Sequence, residues 1–101
     1  LQIEFESNVE VNDAKQVLSE YDGVLVVDDP SRNEYPMPLA AAGGDDVLVG
    51  RIRKDTAHEN GLALWLSCDN LRKGAALNAL QIMDEALRRN ALNPAAQRIS
   101  R

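Results

Sequence analysis

The arrangement of apolar positions along the chain predicts four strands. Residues 2–6 alternate between polar and apolar side chains, as a strand with one buried face does. The continuous apolar run at 24–27 is rich in β-branched residues and predicts a buried strand. Two further apolar segments, 47–53 and 62–67, predict an antiparallel hairpin because a single polar connection separates them.

Helical spacing is found in two other segments. The first predicted helix is capped by Asn12, and Gly23 supplies its stop. The second is capped by Asp69 or Asn70 and runs to about Arg89. The apolar faces are formed by Ala14, Val17, Leu18 and Tyr21 in the first helix and by Ala76, Leu80, Met83 and Leu87 in the second.

The element order is strand, helix, strand, loop, strand, strand, helix. It predicts an α+β fold with a mainly antiparallel sheet and with the helices on one face. Residues 28–46 are long, irregular and rich in proline and glycine, so we expect them to lie over another surface. Residues 62–66 are apolar on both faces and are expected to need a partner surface. The predicted domain covers 1–89, and the tail at 90–101 is expected to fray.

Composition narrows the classes of function. With 101 residues and a net charge of −5, the chain has the size of one domain and lacks the positive surface that nucleic acid or an anionic membrane requires. No apolar run approaches the roughly 18 residues that span a bilayer. The single cysteine, Cys68, cannot form an internal disulfide, so we expect a cytoplasmic location. Because the sequence enters a strand pattern directly at Leu1, we expect it to be a piece of a longer polypeptide.

The residue types by themselves form no credible active site, since there is one histidine, one cysteine and no glycine-rich phosphate loop. Cys68 is interpreted as a core thiol, and His58 as a solvated side chain without a second metal ligand. Arg51 and Arg53 alternate along a strand and should share one face. We favour their pairing with carboxylates across a dimer interface over an anion site.

Three segments carry a resemblance to a known family. They are Tyr-Pro-Met-Pro-Leu-Ala at 35–40, Val-Gly-Arg-Ile-Arg at 49–53, and Asp-Asn-Leu-Arg-Lys-Gly-Ala-Ala-Leu-Asn at 69–78. Together, and in this order, they resemble the bacterial aspartate-semialdehyde dehydrogenase family, with similarity from the opening strand to about Glu85. The resemblance implies the C-terminal part of that family's plan, a dimerisation domain whose final helix packs against an N-terminal cofactor domain. The family's catalytic residues precede the opening strand, so none is assigned here.

The resemblance also implies a reaction. In this family NADPH reduces aspartyl 4-phosphate to aspartate 4-semialdehyde through a cysteine thioester, as part of lysine, methionine and threonine biosynthesis. The implied cofactor is NADP. The implied partners are further copies of the chain, in a homodimer or tetramer, and the N-terminal cofactor domain of the same polypeptide. The piece at hand is expected to be inactive alone.

One family contact falls within this chain. A polar amide residue just after the Asp at the start of the last helix contacts the nicotinamide end of the cofactor, and here that residue is Asn70. An amide can both donate to and accept from the cofactor carboxamide. Capping of the helix by Asn70 or Asp69 is an equally open interpretation, and both roles can hold together. Arg72 and Lys73 are weaker candidates for contact with a phosphorylated ligand.

Two other hypotheses stay open. The chain could be a stand-alone protein-interaction module that docks through 62–66 and the proline-rich loop, without a cofactor. It could also belong to a dehydrogenase homologue that has lost its catalytic residues. An Asn-Cys motif and a Gly-His-Ser-like segment upstream of Leu1 would favour the enzyme over both.

Overall fold

The computed structural model describes residues 1–91 as one four-stranded sheet with three α-helices. The strands are β1 (Gln2–Glu4), β2 (Val24–Val26), β3 (Val47–Lys54) and β4 (Gly61–Ser67). The helices are α1 (Val11–Glu20), α2 (Pro38–Ala41) and α3 (Leu77–Arg88), with a 3-10 turn at Pro30–Arg32 and a wide helical segment at Arg72–Ala76. The tail at 90–101 was predicted to fray, and its residues from 92 onwards lie outside the described range.

The sheet has the order β1-β4-β3-β2. β4 pairs antiparallel with both β1 and β3, whereas β2 pairs parallel with β3. The predicted α+β class is therefore confirmed, and the mainly antiparallel sheet contains one parallel pair. The parallel pair explains the long irregular loop, because parallel neighbours cannot be joined by a tight turn and need a crossover connection of a dozen residues or more. We call the segment 28–46 the crossover.

One face of the sheet packs against α1. The buried core residues on this face are Val49, Ile52, Leu62 and Leu64, and Val11, Ala14 and Leu18 of α1 pack against them. Ala14 and Leu18 belong to the predicted apolar face of this helix. Val17 and Tyr21 were predicted on the same face but are 65% and 69% exposed, and Val11 packs on the core instead. The start of α1 differs from the prediction: Glu10 is the N-terminal cap, it makes no side-chain capping bond, and Asn12 lies within the first turn. Gly23 has a φ of +84°, which suits its predicted role after the helix.

The crossover covers the other face through Pro36, whose side chain is fully buried. Pro36 sits on Gly50 of β3, where a Cβ atom would lie 2.1 Å from the main-chain oxygen of Val27 and 2.5 Å from Cδ of Pro36. Next to this contact, Nε1 of Trp65 donates a hydrogen bond of 3.0 Å to the main-chain oxygen of Pro36. The loop was expected to lie over another surface, and that surface is the chain's own sheet.

The prediction that β2 is buried was wrong. Leu25 is 51% exposed, because β2 lies at the edge of the sheet and has a single neighbouring strand. Exposure continues at the far end of β4, where Trp65 is 50% exposed and Leu66 41%. Among residues 1–91, the apolar pattern is therefore only partly buried.

The last predicted helix is interrupted. The backbone of Ala75, with φ −139° and ψ −115°, is not helical, so α3 begins at Leu77 rather than at residue 69 or 70. No residue of α3 is buried, and Leu80 and Ile82 on it are 56% and 61% exposed. With a radius of gyration of 17.1 Å, against about 13 Å for a compact domain of about this length, the part of the chain at 1–91 is elongated. No helix within the described range is long and apolar enough to cross a membrane.

The contact between Pro36 and Gly50 generates a stability prediction. Gly50→Ala should lower the free energy of unfolding by about 3 kcal/mol, because the new methyl group collides with main-chain and proline atoms that cannot rotate away. Gly74→Ala is the matched control, since its nearest heavy atoms would lie 3.7 Å away. Urea denaturation of the full-length protein measures both changes, and equal stability of the two variants would contradict the close seating of Pro36.

Candidate cofactor-contact site

Asp69 fixes the chain where it leaves β4. Its Oδ2 accepts a hydrogen bond of 2.8 Å from the N–H of Gly43, in the crossover. Its Oδ1 accepts the N–H of Leu71 at 3.0 Å, and its main-chain oxygen accepts the N–H groups of Arg72 and Lys73. One carboxylate therefore caps the turn that follows it and ties that turn to a distant loop.

These bonds stabilise the charged form of Asp69. The pKa of its carboxyl lies below the ordinary value of 3.8, and the hydrogen bond from Gly43 is the largest cause. Desolvation opposes this effect, whereas the N–H groups of Leu71 and Arg72 and the charge of Arg72 reinforce it. Asp69 is therefore an anion wherever the protein is folded near neutral pH.

A second link joins the same two parts of the chain. Nη2 of Arg72 lies 2.5 Å from Oδ1 of Asp45, and Nε of Arg72 donates to the same oxygen at 2.7 Å. Both side chains are about half exposed, so this ion pair contributes less than about 1 kcal/mol. Its effect is to orient the turn rather than to hold the fold together.

Asn70 lies on the surface at the centre of this arrangement. Its Oδ1 is 3.5 Å from Sγ of Cys68, a weak donor, and among residues 1–91 its Nδ2 donates no hydrogen bond. Neither Asp69 nor Asn70 caps a helix as predicted, because the helical segments at Arg72 and Leu77 start without a side-chain cap. Asp69 bonds the N–H of Leu71 in the turn, so the amide of Asn70 keeps its donors available. A Cβ atom on Gly74 would lie 3.7 Å from Cβ and Oδ1 of Asn70, which is ordinary van der Waals contact.

The other sequence candidates are occupied elsewhere. Arg72 pairs with Asp45, and Nζ of Lys73 donates to Oε1 of Gln81, so both of these weaker phosphate candidates already have partners. Cys68 is a half-buried free thiol. Within the described part of the chain, no group of three or more His, Cys, Asp or Glu residues is placed to hold a metal ion.

His58 is half-buried rather than fully solvated, because Nδ1 of its ring accepts the N–H of Asn60 at 3.1 Å. Arg51 and Arg53 do not follow simple alternation, because β3 has a bulge between Gly50 and Arg53. Both arginine side chains are nevertheless exposed and border one cavity. Sequence reasoning missed the anchoring role of Asp69, which depends on a contact with Gly43, 26 positions away.

The pKa of Asp69 yields a prediction about acid. A carboxylate with a lowered folded-state pKa stabilises the fold above its ordinary pKa and loses this contribution as pH falls through the folded value. We therefore expect the amide proton of Gly43 to report a titration with a midpoint below 3.8 in an NMR pH series. Asp69→Asn should abolish that titration, and its persistence in the variant would show that another group causes it.

Comparison with known proteins places this geometry in a family. Residues 1–73 match the family described as semialdehyde dehydrogenase, dimerisation domain. The aspartate-semialdehyde dehydrogenase of Aquifex aeolicus is 50% identical over 84 residues, which are 83% of this chain and 25% of that protein. The enzyme of Bacillus subtilis is 51% identical over 80 residues, 79% of this chain and 23% of the relative.

A solved structure agrees with the sequence matches. The aspartate semialdehyde dehydrogenase II of Vibrio cholerae, in complex with ASA, superposes with a TM-score of 0.74 and 35% identity, over 86% of this chain and 25% of that one. The chain thus spans about a quarter of the length of the relatives it matches. The resemblance predicted from the three sequence segments is confirmed: the chain belongs to the semialdehyde dehydrogenase family, and residues 1–73 are its dimerisation domain.

Proposed function

We propose that this chain is the C-terminal portion of an NADP-dependent aspartate-semialdehyde dehydrogenase. The whole enzyme would reduce aspartyl 4-phosphate to aspartate 4-semialdehyde, for lysine, methionine and threonine biosynthesis in the cytoplasm. The chain's own share is to form subunit contacts and to contact the cofactor through Asn70. Family membership supports the proposal. So does the match to about a quarter of the length of individual enzymes that carry this name.

The observation that carries the cofactor role is the state of Asn70. Its amide is exposed and its Nδ2 makes no hydrogen bond within residues 1–91, while the preceding residue, Asp69, is fixed by hydrogen bonds from Gly43 and Leu71. An amide held in this way offers two donors and an acceptor, which match a carboxamide such as that of nicotinamide. Asn70 therefore fits the nicotinamide end of the cofactor. When bound, NADPH supplies the hydride, and Asn70 binds and orients its carboxamide end.

The exposed apolar residues support the proposed partners. Trp65 and Leu66 are exposed apolar residues on the two faces of β4, and they suit contact with a second subunit in a homodimer or tetramer. Leu80, Ile82 and Leu87 on α3 suit contact with the N-terminal cofactor domain of the same polypeptide. A stand-alone interaction module is the second candidate, and the 88% exposure of Leu39 in the crossover favours it as much as it favours the enzyme.

Assay of the full-length protein separates these candidates. With aspartate 4-semialdehyde, phosphate and NADP, the enzyme should form NADPH, whereas the 101-residue chain alone should form none. Lack of activity in a full-length protein that binds NADPH and forms dimers would indicate a homologue without catalysis. Dimers that ignore NADPH would favour the interaction module.

Asn70→Ala tests the cofactor contact directly. Loss of the amide removes hydrogen bonds worth about 1.4 kcal/mol, so the Kd for NADPH of the full-length protein should rise about tenfold. Asn12→Ala, on the exposed side of α1, is the matched control and should leave the Kd unchanged. Isothermal titration measures both values, and an unchanged Kd in Asn70→Ala would remove Asn70 from the cofactor site.

A further inference from the structure

A cavity of about 440 Å³ opens beside β3, past the point where β2 has ended. Its volume lies within the range of about 300–1,000 Å³ that is typical of sites for small molecules. Its lining comes from α1, the crossover and the bulge of β3, which are far apart in sequence. The lining residues that carry the argument are Lys15, Asp28, Glu34, Tyr35, Arg51 and Arg53.

Asp28 is the fixed point of the cavity. Its side chain is 2% exposed, and its Oδ2 lies 3.0 Å from Nζ of Lys15 and accepts the N–H of Ile52 at 3.1 Å. The last residue pair of the β2–β3 ladder is Val26 with Val49. Beyond it β2 offers no main-chain oxygen to β3, and the carboxylate of Asp28 accepts the N–H of Ile52 instead. A buried charge with two such partners holds the bulge of β3 in one conformation.

The bulge carries an unusual residue. Arg51 has a φ of +50°, in the left-handed region that normally selects glycine and that costs an ordinary residue about 1 kcal/mol. A conformation of this kind persists only where the surrounding structure fixes it, and it is concentrated at binding sites. Here it places the side chains of both Arg51 and Arg53 at the cavity.

The charges at the cavity do not cancel. Lys15 is paired with Asp28, and Glu34 lies 3.3 Å from Arg32. In the part of the chain that the structure describes, neither Arg51 nor Arg53 forms an ion pair.

Two guanidinium groups are therefore left to bind an anion. The one polar contact of their side chains within that part runs from Nη1 of Arg53 to the main-chain oxygen of Arg51, at 2.7 Å. Guanidinium groups bind phosphate and carboxylate oxygens in a bidentate manner. We propose that the cavity binds a small metabolite through a dianionic oxyanion group, a phosphate or a pair of carboxylates, held by Arg51 and Arg53. Tyr35 also lines the cavity, and its side chain carries a hydroxyl that can donate a hydrogen bond.

Titration of the full-length protein with inorganic phosphate and, separately, with succinate tests the proposal and distinguishes the two kinds of oxyanion. Arg51→Gln and Arg53→Gln should each weaken binding of at least one probe about tenfold, as loss of a charge-assisted hydrogen bond does. Arg88→Gln is the control, because Arg88 lies on α3 and pairs there with Glu85. It should bind both probes as the wild type does.

A crystal of the full-length protein soaked in selenate locates the site independently of the variants. An anomalous selenium peak within hydrogen-bond distance of both guanidinium groups is the expected result. A cavity without a peak, or one occupied by a carboxylate of a partner subunit, would overturn the proposal. The proposal would also be overturned if Arg51→Gln and Arg53→Gln bound both probes with the affinity of the wild type. If either variant fails to fold, the selenate experiment on the wild-type protein decides.

Discussion

Pro36 rests on Gly50 at a distance that no side chain on the strand would permit, and this contact holds the crossover on the sheet. With the crossover in this position, the main-chain oxygen of Pro36 accepts a hydrogen bond from Nε1 of Trp65. The same segment then brings the N–H of Gly43 to the carboxylate of Asp69, next to Asn70. The position of the proposed cofactor contact therefore depends on a packing contact on the opposite side of the crossover.

Much of the fold could be predicted from the apolar pattern, because alternation and β-branched runs report which residues are buried. The hairpin of β3 and β4 was placed correctly for that reason. The direction of β2 could not be predicted, since it depends on the path of the crossover and not on the strand's own residues. Burial of β2 was overestimated because an apolar run does not say whether a strand has one neighbour or two.

Two backbone features could not be predicted from the residue types at their positions. Left-handed conformations are usually marked by glycine or asparagine, but at the bulge the residue is Arg51. The helix is interrupted at Ala75, although alanine is the strongest helix former. For the candidate site, the resemblance to a family pointed to Asn70, whereas the anchor at Asp69 depends on Gly43 and the cavity depends on three distant segments. Contacts of this range are set by tertiary structure and are not written in local sequence.

The interruption at Ala75 divides the end of the chain into two helical segments, which are joined by the backbone hydrogen bond from Leu77 to Arg72 and the side-chain bond from Lys73 to Gln81. A continuous helix would transmit any displacement of its far end along its axis, because each turn is bonded to the next. Here the turn at Asn70 is bonded to the crossover through Asp69 and Arg72, and α3 begins at Leu77. A shift of α3 would therefore reach Asn70 only through those few bonds, and the contacts of Asp69 and Arg72 with the crossover would resist it.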